Sequence, residues 1–351
     1  MAKVRIAVAG AGMIGMRHIE EIVASPTCAL AAIVDPGPKA PEIAEKHRVP
    51  LYKSLAECFA KDIPEGVVIA TPNAMHVDQG LACVAAGVPC LVEKPVGHTL
   101  EEGRRLVDAA EKAGHKLLVG HHRRHSPILH KAVEIVESGA LGRIVGVMGS
   151  AVFYKPAGYY DPPYEWRRQP GGGPILINMV HEVGNLRSMV GEIASVQAFA
   201  SNATRKFAVE DTVAINLRFR NGALGTFLLS DTAASPRSWE QTSRENKDYA
   251  TCEDEDAYVI VGTMGSLAVP TMRLRTYASE GSRSWYTPFE SKTVAITRAD
   301  PLARQIEHFG KVIRGEEEPL VTGRDGLVNL RVVEAISEAA RTGSIVDIPL
   351  N

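Results

Sequence analysis

The chain has 351 residues, 45% of them hydrophobic and 23% charged, the balance of a soluble globular protein with room for two domains. Its formal net charge of −2 supplies no overall field for nucleic acid or a membrane surface, and no apolar run approaches the length of a membrane span. Five scattered cysteines (Cys28, Cys58, Cys83, Cys90 and Cys252) form no C-x-x-C pair, which argues against a disulfide framework or zinc site and for a reducing, cytoplasmic setting.

The first residues run straight into a strand pattern over 3–9, without the charged, apolar and cleavage regions of a signal peptide. Then come a helix over 13–24, a strand over 29–35, a short helix over 41–47, a strand over 66–71, a helix over 76–86, a strand over 89–93, a helix over 100–113 and a strand over 116–120. These strands are rich in Val, Ile and Leu and lack polar alternation, as strands do when helices cover both faces. Repeated β-α units predict a parallel, doubly wound α/β sheet.

Past 120 the pattern changes. A helix over 127–138 and a strand over 145–154 lead into a loop rich in Pro, Gly and aromatic residues that runs to Gly173. A helix over 175–190 is followed by strands over 193–201, 212–220 and 224–230, the last two joined by Asn221-Gly222, a strong hairpin signal. Residues 235–256 are polar and contain Trp239, and they read as a long loop. Short strands over 259–261 and 267–269 and helices over 302–314 and 323–341 complete the chain. The division is therefore an α/β nucleotide-binding domain over 1–122 and an α+β domain with a mainly antiparallel sheet over 123–351.

Gly10-Ala11-Gly12-Met13-Ile14-Gly15 matches G-x-G-x-x-G after a strand and at the opening of a helix, the context a dinucleotide site requires. The first glycine permits the turn, the second lets the backbone approach a pyrophosphate, and the third lets helix and strand pack closely. Met13 and Ile14 lie where the helix N-terminus offers free N–H groups to the phosphates. Asp35 ends the second strand, where a carboxylate accepts the ribose hydroxyls of NAD and repels the 2′-phosphate of NADP, so NAD is expected over NADP. Lys39 stands close enough to soften that preference. Thr71, Asn73 and His76 follow the strand over 66–71 and are placed to line the cofactor site; His76 serves equally well as a core or capping residue.

Glu93-Lys94-Pro95 follows the next strand at its carboxyl end. A lysine beside a cationic nicotinamide has its pKa lowered and can take a proton from an alcohol as hydride leaves carbon. Taken alone, it also reads as a surface lysine. The ordered set of Gly-x-Gly-x-x-Gly, Ala70-Thr71-Pro72-Asn73 with His76, Glu93-Lys94-Pro95, and Gly171-Gly172-Gly173 with His181 resembles the glucose–fructose oxidoreductase / inositol dehydrogenase (Gfo/Idh/MocA) family over essentially the whole chain. The resemblance implies a Rossmann domain and an α+β domain with an open sheet. It also implies that the C-terminal helix returns to the nucleotide domain, and NAD(P)-dependent chemistry on sugar or polyol hydroxyls.

By the same resemblance Lys94 and His181 are the catalytic pair, and Glu93 belongs to the cofactor set. Many members carry acids where this chain has Ile177 and Gly184, which puts a Lys–His–Asp relay in doubt; Asn178 is the nearby polar group, able to orient a hydroxyl but not to take a proton. His122 and Arg123 stand where the family has an Asn and an Arg in the substrate cleft. Tyr154, Trp166 and Arg167 precede the Gly171 turn and suit a ring bearing hydroxyls or a carboxylate, or else simply pack the loop. Arg124 and Arg168 add to the local positive charge, which binds an anion, binds cofactor phosphates or pairs with acids such as Asp161 and Glu182. No histidine cluster has metal-ligand spacing, so no metal is expected. The expected activity is oxidation of a secondary hydroxyl on a cyclic polyol, sugar or ring diol, with a sugar acid or carboxylated diol second. The alternatives are a dinucleotide-binding regulator and a non-redox enzyme with permanently held NAD. Apolar residues on both phases of 212–230 predict a homo-oligomer, dimer or tetramer, formed through the sheet, with no nucleic-acid or membrane partner.

Overall fold

The computed structural model describes residues 2–349. The chain forms two compact units: one runs through His125 and includes Asp300–Leu330, the other comprises Ser126–Ala299 and the residues from Arg331 onward. The sequence divides at 122/123; the contacts divide at His125/Ser126 and assign Asp300–Leu330 to the first unit.

The first unit contains β1 (Val4–Ala9), α1 (Met13–Ala24), β2 (Cys28–Val34), α2 (Ala40–His47), β3 (Leu51–Tyr52), α3 (Leu55–Lys61), β4 (Gly66–Ile69), α4 (His76–Ala86), β5 (Cys90–Val92), α5 (Leu100–Lys112) and β6 (Leu117–Val119). Its six strands are parallel in the order β3-β2-β1-β4-β5-β6, so the order reverses at β1. Successive residues feed opposite cores. Val67 and Ile69 join Leu55, Val77 and Leu106 on one face. Val68 joins Ile6, Ile33, Leu91, Ile19 and Ile22 on the other, where Ile306, Phe309 and Val312 complete the layer. That apolar stripe, spaced at helical period, is what draws the late helix into this unit. β3 and α3 fall where the sequence predicts no element, because a two-residue strand lies below any periodic signal; Ser54 caps α3 by accepting the Glu57 N–H at 3.2 Å.

The second unit contains α6 (Pro127–Glu137), β7 (Ile144–Val152), α7 (Val180–Val190), β8 (Ile193–Ser201), β9 (Thr212–Phe219), β10 (Leu224–Ser230), α8 (Trp239–Thr242), β11 (Tyr258–Gly262), β12 (Gly265–Val269), β13 (Arg273–Thr276) and β14 (Glu290–Thr293). The remaining elements are α9 (Pro301–Ile313) in the first unit, then α10 (Gly323–Thr342) and β15 (Val346–Asp347). The second sheet runs β14-β13-β12-β11-β7-β10-β9-β8-β15, with β7 and β10 parallel and its other pairs antiparallel. β13 and β14 escape the sequence reading because Arg273-Leu-Arg-Thr276 and Glu290-Ser-Lys-Thr293 are short, charged strands at one side of the sheet, β14 forming its edge, with little apolar content. The helix expected over 175–190 opens with a π-helical turn, Ile175–Met179, before α7.

Along β9, Val213, Ile215, Leu217 and Phe219 point into a core that also receives Val183 and Leu186 of α7 and Val332 and Ile336 of α10. The opposite face of the sheet leaves Met148, Phe199, Leu224 and Leu228 exposed. The polar segment 235–256 is ordered by its own bonds, among them Trp239 Nε1 donating to Glu245 Oε2 at 2.9 Å. Among the described residues no helix is long and apolar enough to cross a membrane.

Candidate functional site

The candidate nucleotide site of the first unit forms where β1 turns into α1. Gly10 has φ +89°, and a Cβ there would lie 2.7 Å from the Ala70 carbonyl oxygen at the end of β4. A Cβ on Gly15 would fall 1.8 Å from the Gly10 oxygen. Gly12 is different: no atom lies within 4 Å of where its Cβ would be. It caps α1 without a side-chain hydrogen bond, so the first N–H groups of the helix face that open space. Asp35, just past β2, ties the turn together: Oδ2 accepts the Ala11 N–H at 2.7 Å and Oδ1 accepts the Gly37 N–H at 2.6 Å. Each carboxylate oxygen keeps a lone pair for a further donor.

Met13 is exposed, and Ile14 packs against the core on the α1 side. Thr71 donates its hydroxyl to Gln79, Asn73 opens a short 3₁₀ turn, and His76 is buried with Nδ1 at 2.8 Å from the Pro95 oxygen and Nε2 at 2.8 Å from the Thr71 oxygen. Burial lowers the His76 pKa. Its ring thus spans the ends of β4 and β5 and has no nitrogen left for a cofactor, so of the two readings open in the sequence the core role matches its surroundings. Open space at Gly12, free N–H groups at α1 and an acid past β2 together fit a dinucleotide.

Lys94 follows β5. The side chain of Glu93 turns inward, 4% exposed, where Oε1 meets His18 Nε2 at 2.8 Å and Oε2 accepts the Lys94 N–H at 3.1 Å. Burial opposes its charge, but the His18 hydrogen bond and neighbouring positive charge, Lys94 included, hold its carboxyl down at about 2. Both oxygens of Glu93 are thus engaged within the protein, one by His18 and one by the Lys94 N–H. His122 and Arg123 lie in a 3₁₀ turn just after β6. Arg123 is buried, and burial together with Arg123 and Lys94 depresses the His122 pKa to about 3, which leaves that imidazole neutral.

The remaining candidate residues belong to the second unit. Gly171 and Gly173 have φ +91° and +80°, and a Cβ on Gly172 would lie 2.6 Å from the Trp166 and Arg167 carbonyl oxygens. This turn delivers the chain to the Ile175–Met179 π turn, whose Ile175 N–H is accepted by Glu210 Oε1 at 2.9 Å. Asn178, in that π turn, and His181, three residues further on in α7, are each 9% exposed. Lys155 Nζ, which the sequence reading overlooks, donates to Asn178 Oδ1 at 2.6 Å. Half-buried Ile177 and buried Gly184 bring no acid to this site, and the neighbouring acid Glu182 is buried and accepts the Tyr258 hydroxyl.

Arg167 is buried rather than free in a cleft. Its guanidinium lies 3.8 Å from the Tyr159 ring centroid and 4.2 Å from that of Tyr164, and Nη1 donates to the Tyr159 carbonyl at 2.8 Å. Tyr154 and Trp166 are largely exposed. A second buried charge cluster also went unread: Asp231 accepts Arg205 Nε at 2.8 Å and the Tyr160 hydroxyl. Lys155 and Arg205 are invisible to periodicity because each lies in a loop. His18 had a signal, since it lies three residues past Gly15 on the buried face of α1. Among the described residues no group of three His, Cys, Asp or Glu side chains is disposed to hold a metal ion.

Gly12→Ala is the sharpest test of the open space in the turn. The added methyl meets no protein atom, so the thermal unfolding midpoint should hold within a degree or two, while the NAD dissociation constant rises at least about tenfold, or about 1.4 kcal/mol. Calorimetric titration with NAD reads the second effect.

Comparison with known proteins agrees with this geometry. Residues 4–121 match the model of the "Oxidoreductase family, NAD-binding Rossmann fold", and residues 129–268 match the "GFO/IDH/MocA C-terminal domain". A 1,5-anhydro-D-fructose reductase of Ensifer adhaerens is 28% identical over 302 residues, 84% of this chain and 83% of that one. A scyllo-inositol 2-dehydrogenase (NAD(+)) of Bacillus subtilis (strain 168) is 26% identical over 99% of this chain and 96% of its own. The WlbA dehydrogenase from Bordetella pertussis, solved in complex with NADH and UDP-GlcNAcA, superposes with a TM-score of 0.78 at 26% identity, covering 99% of this chain and 100% of that one. With the glycine turn, Asp35, Lys94 and His181 in place and both domain models matched, the chain belongs to the Gfo/Idh/MocA family of NAD(P)-dependent oxidoreductases.

Proposed function

We propose that the protein is a dehydrogenase that oxidises a secondary hydroxyl of a cyclic polyol, sugar or related ring diol, with NAD preferred. The observation that carries this reading is Lys94, fixed at the carboxyl end of β5 by its bond to Glu93. NAD, when bound, supplies the acceptor for the hydride. The chain handles the proton: Lys94 takes it from the hydroxyl as the C–H bond breaks, and His181 serves as the second acid–base group. Asn178, its oxygen engaged by Lys155, is left with an amide N–H to donate to a substrate oxygen. Relatives named for inositol and anhydro-fructose support a neutral hydroxylated ring as the substrate. The stacking of Arg167 between Tyr159 and Tyr164 gives it a packing role, so a carboxylated substrate stays second. Relatives named as reductases and dehydrogenases favour catalysis over a regulatory role. A cytoplasmic setting is part of the same reading, supported by five free thiols.

Lys94→Ala and His181→Ala should each lower kcat about 10²–10⁴-fold in an NAD-reduction assay over inositols and aldoses, with NAD still bound. Normal turnover by either variant at saturating substrate removes its assigned role. Asp35 supports NAD by charge repulsion with a 2′-phosphate, so kcat/KM should be higher with NAD than with NADP at equal ionic strength. A reversed ratio would implicate Lys39.

The exposed apolar face carrying Met148, Phe199, Leu224 and Leu228 supports a homo-oligomer built on the second sheet. Light scattering at micromolar concentration should give a dimer or larger. Leu228→Lys should shift it toward monomer, and a monomeric wild-type protein refutes the proposal.

A further inference from the structure

His18 is fully buried, on α1, one turn past the glycine motif, and the acid–base chemistry above gives it no task. Its Nε2 stands 2.8 Å from Glu93 Oε1. Its Nδ1 is shielded from solvent and has no hydrogen-bond partner. A hydrogen on Nδ1 would be buried without an acceptor, which is costly, so Nε2 is the nitrogen that donates to Glu93. Glu93 is boxed in on the far side as well, since a Cβ on Gly120 would lie 2.8 Å from its Cδ and its Oε1. The other carboxylate oxygen accepts the N–H of Lys94 at 3.1 Å.

We propose that His18 is a positioning residue for Lys94: its Nε2–H holds the buried carboxylate of Glu93, and that carboxylate fixes the main chain at Lys94 and sets the charge beside it. The inference rests on the reading of Lys94 as the acid–base residue. A buried carboxylate next to an ammonium favours the protonated lysine, so Glu93 determines the pH at which Lys94 becomes a base. The other groups that act on this pair are His18 from α1, His76 from α4, and His122 with Arg123 after β6. The imidazole of His122 is neutral, burial lowers the pKa of His76, and Glu93 supplies the negative charge in this group.

Two amides of different reach test the idea. In His18→Gln the side-chain nitrogen stands where Nε2 stood and can still donate to Glu93. In His18→Asn it stands where Nδ1 stood and cannot. The readouts are the pH profile of kcat/KM, kcat separated from KM, NAD affinity by calorimetry and the thermal midpoint. His18→Asn should lose about tenfold in kcat, with NAD affinity within about twofold, and His18→Gln should recover most of that loss. Glu93→Gln should move the limb on which the base loses its proton about one unit to lower pH.

A folded His18→Asn with full kcat, an unmoved limb in Glu93→Gln, or a His18→Gln no better than His18→Asn overturns the proposal. If His18→Asn does not fold, the recovery in His18→Gln and the limb shift in Glu93→Gln still decide it. Normal turnover in Lys94→Ala would bring down the acid–base reading itself. Lost turnover there beside an unaffected His18→Asn brings down this inference alone.

Discussion

The near-contact of Gly15 with the carbonyl of Gly10 governs the architecture of the nucleotide unit. Because neither position carries a Cβ, β1 can turn at once into α1 and the helix can lie against the strand that precedes it. That approach, with the close approach of Gly10 to Ala70, brings the ends of β1 and β4 together at the point where strand order reverses. Everything the first unit contributes to chemistry is measured from there: Asp35 reaches back to Ala11, His76 spans the Thr71 and Pro95 carbonyls, and Lys94 emerges one strand further on.

Around that turn the protein buries ionisable groups in a controlled way. A buried carboxylate persists only when donors satisfy it, and Glu93 has His18 on one oxygen and the Lys94 N–H on the other. Burial works the other way on His122 and His76, pushing both pKa values down. The result is a buried, charged carboxylate bonded to the main chain of Lys94, with the neutral imidazole of His122 acting on it.

The second unit solves a different problem. Its helix must start from a loop and still present Asn178 and His181 in a fixed relation. The Gly171–Gly173 turn, the Glu210 carboxylate on Ile175 N–H and the Lys155 ammonium on Asn178 do this jointly. Glu182, next to His181 in sequence, is drawn away by the Tyr258 hydroxyl. The chain thus keeps a histidine and an amide where the family resemblance implies acids.

The amino-acid sequence by itself determined the parallel β-α order, the glycine turn with Asp35, and the positions of Lys94 and His181. Those features are written in local pattern: unbroken Val/Ile/Leu strands covered on both sides, a motif bound to one strand–helix junction, and short signatures at strand ends. Tertiary structure alone decided three further things. It returned α9 to the first unit, because the Ile306–Phe309–Val312 stripe completes a core whose other half lies some three hundred residues earlier. It made β13 and β14 strands although their residues are polar, since edge pairing requires backbone rather than side-chain pattern. And it gave His18, Lys155 and Asp231 their work, because the partner of a buried polar group is chosen by distance in space, and Glu93 lies 75 residues from His18 in the chain but 2.8 Å from its ring.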